Sequence, residues 1–281
     1  MRAAPSTSDS IAELLENLTQ ARARGRPRDR PFVTLAYAQS LDGSITTARG
    51  ERYNLSGSDA LRFTHALRAR HDAIVIGVGT VLADDPELRV RLVEGPSPQP
   101  VVVDSRVRTP NDARLLSGAG RPVWIAAANL AGGGGERDTR VARIPSDRGR
   151  IIDCPALPNG WVDLQALLRR LGSEGVEHVM VEGGARIITS FLTAGLVDYA
   201  LVTIAPQFLG GLPAIDPSAR AGLSSARAGL SSADAGLSSA GAGLSSARGG
   251  LPSAVASLTT LVSCRLGDDL VIGGEVAWHA G

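Results

Sequence analysis

Three short stretches of this 281-residue chain combine residue types that could do chemistry. Val181-Glu182-Gly183-Gly184-Ala185-Arg186 places a carboxylate and two glycines where an apolar run gives way to helical spacing. Glycines let backbone amides approach a ligand, the first amides of a helix attract anions, and Arg186 adds a charge for phosphate. A pyrophosphate would fit there; a tight turn with a solvated arginine is the alternative. Gly77-Val78-Gly79-Thr80 repeats the form with a hydroxyl in place of the arginine, and would serve packing equally well. The run Asp84-Asp85-Pro86-Glu87-Leu88-Arg89-Val90-Arg91 turns from acid to base, suited to polar ligand groups and a phosphate or simply to a solvated surface.

Composition removes whole mechanisms. All 29 basic side chains are arginine and there is no lysine, so a lysine P-loop and Schiff-base chemistry are both excluded. Cys154 and Cys264 stand far apart, outside any C-x-x-C pattern, and are expected to be buried thiols. His65, His71, His178 and His279 lack ligand spacing, so no metal is expected, and His65 is read as a structural residue beside Arg68. A net charge of +1 with scattered arginines offers no face for nucleic acid or membrane. No apolar run is long enough to span a bilayer, and MRAAPSTSDS lacks the core of a secretion signal. A cytoplasmic protein is expected.

The elements that must position these residues follow from periodicity. Ser10 and Glu13 form a capping pair for a helix to Arg24, and Arg22 to Arg30 then reads as a solvated, arginine-rich tether. Strands are expected at Phe32 to Ala38, Ala73 to Val78, Val101 to Asp104, Val123 to Ala127, His178 to Val181 and Tyr199 to Ala205. Helices are expected from a Ser56/Asp59 cap to about Arg70, from an Asp163 cap to Gly172, and over Ala185 to Ala194. Leu258 to Trp278 should fold back at Gly267-Asp268-Asp269 as a β-hairpin. Alternating strands and helices predict an α/β fold, a mainly parallel sheet flanked by helices and ended by that hairpin. Its ligand would lie at the carboxyl ends of the strands.

Between Ala221 and Val255 a seven-residue unit, AGLSSAR and its variants, occurs five times. One leucine per unit cannot supply a coiled-coil seam, so the segment is expected to be a flexible insertion. The organisation is then a helix and linker over residues 1–30, a main domain over 31–216 and 256–281, and the insertion over 217–255.

The longer stretches PFVTLAYAQSLDG (31–43), THALRARHDAIVIGVGTVLADDPELRVR (64–91), VVVDSRVRTP (101–110) and VMVEGGARIITSFLTAGLVDYALVTIAPQFLGG (179–211) resemble, in that order, the pyrimidine reductases of riboflavin synthesis. Their fold is like that of dihydrofolate reductase. YAQSLDG and the TH-x-LR-xx-HD pattern are closest to the stand-alone fungal and archaeal enzymes. The resemblance implies NADPH contacts from Ala38, Thr80, Asp84, Ser105 and the loop and helix from Gly183 through Gly184, Ala185, Arg186, Ile187 and Ile188 to Ser190. It implies substrate contacts from Arg68, Leu88, Arg91 and Glu182.

In such enzymes hydride passes to C1′ of a phosphorylated ribosylaminopyrimidine and the sugar becomes a ribityl chain. The substrate is 2,5-diamino-6-ribosylamino-4(3H)-pyrimidinone 5′-phosphate or its deaminated uracil analogue. No residue announces itself as proton donor; Glu182 and Asp42 are candidates by location. Two-domain bacterial relatives carry Lys, Ser and Trp at the places of Ala36, Arg52 and Asn54, so contacts made there do not carry over. The zinc motif of the deaminase half is missing. A homodimer is implied. Other readings are a reductase of another pyrimidine or a pterin, and a non-catalytic nucleotide-binding protein.

Overall fold

The computed structural model describes residues 6–25, 27, 29–117, 121–129, 134–215 and 254–280. The heptapeptide insertion falls outside them, except that Ala254 and Val255 of its last copy already belong to a strand. In chain order the first half comprises α1 (Thr7–Arg24), β1 (Phe32–Ser40), β2 (Ser44–Thr46), α2 (Ser58–Arg68), β3 (Ala73–Gly77), α3 (Val78–Asp84) and β4 (Gln99–Val103). After a 3-10 turn at Arg114–Ser117 come β5 (Val123–Asn129), α4 (Gly134–Val141), β6 (Gly149–Pro155), α5 (Leu164–Ser173) and β7 (His178–Glu182). The chain continues through α6 (Ala185–Thr193), β8 (Tyr199–Ala205), β9 (Leu212–Pro213), β10 (Ala254–Leu266) and β11 (Asp269–Ala280).

The main sheet runs β10-β11-β8-β1-β7-β3-β4-β5-β6, parallel from β8 to β6, with the β10–β11 hairpin antiparallel at one edge. This is the mainly parallel α/β fold with a terminal hairpin that the patterning predicts. Parallel strands need covering on both faces, and their period of two divides the core accordingly. Val33, Leu35, Val75, Val179 and Val181 pack with Leu167, Leu168, Leu171, Ile188 and Phe191 of α5 and α6. On the other face, Phe32, Ala36 and Met180 meet α1 and α2, while Ile74, Ile76 and Val102 meet α3 and the turn at Leu115-Leu116.

Several boundaries differ from expectation for identifiable reasons. α1 starts at Thr7 because Ser6 and Asp9 form a reciprocal capping box one turn before Ser10, which is buried inside the helix. α2 does not use Ser56; its cap is Gly57, whose amide donates to Asp269 Oδ2 at 2.8 Å. The expected arginine-rich tether differs in part: Arg22 and Arg24 belong to the last turn of α1, and three of its arginines have partners. Arg22 donates to the Arg70 carbonyl, Arg24 to Glu275, and Arg30 grips Asp198 through two nitrogens at 2.7 and 2.8 Å. Burial lowers the Arg22 pKa to about 10 against the opposing pull of Asp72. Cys154 is buried as expected, while Cys264 is only partly so. No helix among the described residues is long and apolar enough to cross a membrane.

Candidate active site

β7 enters the sheet between β1 and β3, so chain segments diverge from this point toward both edges. Above the carboxyl ends of these strands lies a cleft of about 1930 Å³. Ligand pockets commonly measure about 300–1,000 Å³, so this one has room for a dinucleotide and a second molecule. Eight arginines and six carboxylates line it, a surplus of positive charge larger than that of the whole chain. Anionic ligands are favoured there.

The floor is made where the two glycine loops touch. Gly77 ends β3, and a Cβ on it would lie 2.6 Å from Ile187 Cγ1, so glycine lets α6 settle on that strand. Gly184 has φ +88°, and a Cβ there would lie 2.8 Å from Thr80 Oγ1. α6 begins at Gly184 with no side-chain cap, leaving its first amides open at the cleft wall. Arg186, in that first turn, lies over the Trp161 ring at 5.2 Å from the centroid and has no carboxylate partner among the described residues. Across the floor, the Ser105 hydroxyl accepts the Val162 amide at 3.0 Å and ties β4 to the loop bearing Trp161. Burial raises the Asp84 carboxyl above its ordinary pKa, opposed by Arg52.

The other half of the cleft is built on α2 and β7. Arg68 Nε and Nη2 donate to Glu182 Oε1 and Oε2, each at 2.7 Å. Burial pulls the Arg68 pKa down and Glu182 pulls it up, with an upward net effect. Beside them Leu88 is buried at φ +55°, and the Arg91 amide donates to His65 Nδ1 at 3.1 Å. Tyr37, which sequence reasoning did not single out, adds a half-buried phenol whose pKa burial raises.

The structure gathers Ala38, Thr80, Asp84, Ser105, Gly183 to Ile188, Arg68, Leu88, Arg91 and Glu182 around one cleft. Asp42 is not brought there, which corrects its candidacy as proton donor. It accepts from the hydroxyls of Ser40 and Ser44 and the amides of Leu209 and Gly210, and these donors hold its carboxyl well below the usual range. It is a turn residue fixing the β1–β2 corner. Glu182 reaches the cleft, but both oxygens already accept from Arg68, a geometry suited to anchoring rather than to giving a proton. Sequence reasoning missed Trp161, in the loop between β6 and α5, and missed β6 itself, whose run GRIIDCP mixes charged with apolar residues.

An open parallel sheet with abutting glycine loops at a switch between strands defines an α/β protein built to hold a nucleotide cofactor beside a second ligand. The chain belongs to the RibD C-terminal domain family, whose model matches residues 31–228. It is 42% identical over 188 residues to the 2,5-diamino-6-ribosylamino-4(3H)-pyrimidinone 5′-phosphate reductase of Methanothermobacter thermautotrophicus, spanning 66% of this chain and 82% of that one. It is 33% identical over 204 residues to the riboflavin biosynthesis protein RibD of Actinobacillus pleuropneumoniae, 69% of this chain and half of the relative. The solved riboflavin biosynthesis reductase of Saccharomyces cerevisiae superposes with a TM-score of 0.63 at 25% identity, over 95% of this chain and all of that one.

Proposed function

We propose that the chain is an NADPH-dependent reductase that converts the ribosyl group of 2,5-diamino-6-ribosylamino-4(3H)-pyrimidinone 5′-phosphate to its ribityl form. The observation that carries this reading is adjacency. The uncapped glycine-lined start of α6 and the Arg68–Glu182 pair flank the same strand end, so a cofactor and a phosphorylated polar substrate would meet above β7. The cradle fits the cofactor, since a Cβ at Gly184 would intrude on Thr80 where the amides converge. NADPH, when bound, supplies the hydride.

The chain's own residues orient and balance charge. The Gly183 to Ile188 segment, Thr80, Ala38 and Ser105 would hold the cofactor. Arg68, fixed by Glu182, and Arg91 would hold the substrate, with Leu88 as an apolar wall. Asp84, its carboxyl pKa raised by burial against the opposing pull of Arg52, would contact a polar group of the cofactor. The enzyme is read as cytoplasmic, in keeping with two unpaired cysteines, and as a homodimer, which sedimentation would test.

The deciding experiment follows NADPH oxidation with the diamino pyrimidinone phosphate and, separately, with its deaminated uracil counterpart. Turnover is expected with the first in preference to the second. Silence with both, despite NADPH binding, would overturn the reading. Preference for the uracil form would place the enzyme after deamination.

A further inference from the structure

We infer that His65 is a positioning residue for the reductase, a buried acceptor that sets the main chain of the 88–91 loop and through it aims Arg91 into the cleft. His65 stands one turn before Arg68 on α2, fully buried at the cleft wall. Its Nδ1 accepts the Arg91 amide at 3.1 Å, so the ring's hydrogen belongs on Nε2, and that nitrogen is buried with no partner. An unpartnered buried donor is unfavourable. An apolar residue would fill the space without that penalty, so what the imidazole supplies is the Nδ1 acceptor.

The main chain of the loop it holds has few other hydrogen bonds, although Leu88 is buried. Residues 86–91 form neither helix nor strand, and Leu88 adopts a left-handed conformation that a leucine disfavours. Besides His65, it is tied from outside by Arg68 Nη1 to the Arg89 carbonyl at 3.4 Å, by the Val90 amide to Ser97 Oγ at 3.0 Å, and by Arg114, which pairs with the Glu87 carboxylate; of these only the first two touch the main chain. α2 thus grips the loop through His65 and Arg68 while Arg68 also binds Glu182. The Arg91 guanidinium remains half exposed, its ion pair with Glu87 stretched to 4.0 Å. It is available to an anion, and its direction depends on the amide that His65 holds. Burial, then the charges of Arg68 and Arg91, lower the His65 pKa to about 4, with Glu182 opposing, so the acceptor persists at neutral pH.

The inference rests on Arg91 meeting substrate, and its test separates the two. Asparagine places an amide oxygen where Nδ1 lies; glutamine places it one atom further out. His65→Asn should keep KM for the pyrimidine phosphate, whereas His65→Gln and His65→Leu should raise it about tenfold, with kcat and NADPH affinity within about twofold of the parent. In an Arg91→Ala background His65→Leu should add no further loss. Amide hydrogen exchange of residues 88–91, which needs no substrate, should quicken in the Gln and Leu variants and not in the Asn variant. Unchanged exchange, an additive loss, or an Asn variant as poor as the Gln variant would overturn the inference. Quickened exchange without turnover on any pyrimidine would instead count against the assigned reaction.

Discussion

Arg68 and Glu182 face each other fork to fork, two nitrogens against two oxygens, both contacts 2.7 Å, joining the last residue of α2 to the last residue of β7. The side chains are only 13% and 16% exposed, so solvent screens them little. Removing one partner of such a pair costs about 3 kcal/mol, because the other is left buried and uncompensated. Glu182→Gln should therefore lower the urea midpoint clearly and reduce kcat/KM by about a hundredfold, measured by equilibrium unfolding and steady-state kinetics. Arg68→Lys should behave almost as badly, since a point charge cannot meet both oxygens in one plane.

Gly184 offers a cleaner probe of the cofactor cradle. Alanine at its left-handed φ is strained by about 1–2 kcal/mol, and its Cβ would press on Thr80 Oγ1. Gly184→Ala should weaken NADPH binding by about tenfold in a fluorescence titration. Adding Thr80→Ala should recover part of that loss, because it removes the close contact while the backbone strain stays.

Arg186 is expected to distinguish the phosphorylated cofactor from NADH. A cation in the first turn of a helix runs against the helix dipole, yet Arg186 sits there, stacked on Trp161. Arg186→Gln should raise the Kd for NADPH about tenfold and that for NADH by less than about twofold, because only the former carries the extra phosphate. Trp161→Leu should give the same pattern more weakly. Equal losses for both cofactors would assign Arg186 to the shared pyrophosphate.

Stability should fall in mild acid. The His65 pKa drops from 6.5 to about 4 on folding, chiefly through burial, and His71 falls well below its ordinary value for the same reason. The unfolded chain then binds more protons than the folded one, so these groups contribute fully above about pH 6.5 and lose that contribution as pH falls toward 4. The His65 share is on the order of 3 kcal/mol. Thermal melts from pH 7.5 to 4.5 should show a falling Tm, and His65→Asn should flatten the decline.

The AGLSSA repeats are expected to be dispensable. Deleting residues 221–250, which spares the residues that begin β10, should leave turnover within about twofold in a folded variant. A collapse of activity in a variant with an unchanged melt would give the repeats a part in catalysis.

Much of this arrangement was legible in the sequence because it is written in uninterrupted runs. AIVIG and VMVEGG announce buried parallel strands and glycine turns without help from distant residues, and the Asp163 cap forms as spaced. β6 and α4 were not legible: β6 mixes charged with apolar residues, and α4 is polar along most of its length. The Ser10/Glu13 spacing did not set the start of α1, because Ser6 and Asp9 close a capping box one turn earlier and Ser10 is buried in the helix. Roles that depend on pairing across the chain also stayed hidden. Nothing local marks Asp42 as a saturated turn acceptor, since two of its donors lie at Leu209 and Gly210. Arg30 likewise looked solvent-bound because Asp198, its partner, arrives on the far side of the sheet sequence.

The insertion of β7 between β1 and β3 also governs how the molecule must be assembled. Both neighbours of β7 lie far before it in the chain, β1 ending at Ser40 and β3 at Gly77, so the sheet cannot close at its centre until synthesis has passed Glu182. Until then β1 and β3 are two exposed edges with no partner for each other's register. Central pairings of such long sequence separation make folding slow and leave sticky intermediates. The cleft therefore forms only once β7 is in place, and a ligand that spans its two halves would act as a clasp on the finished fold.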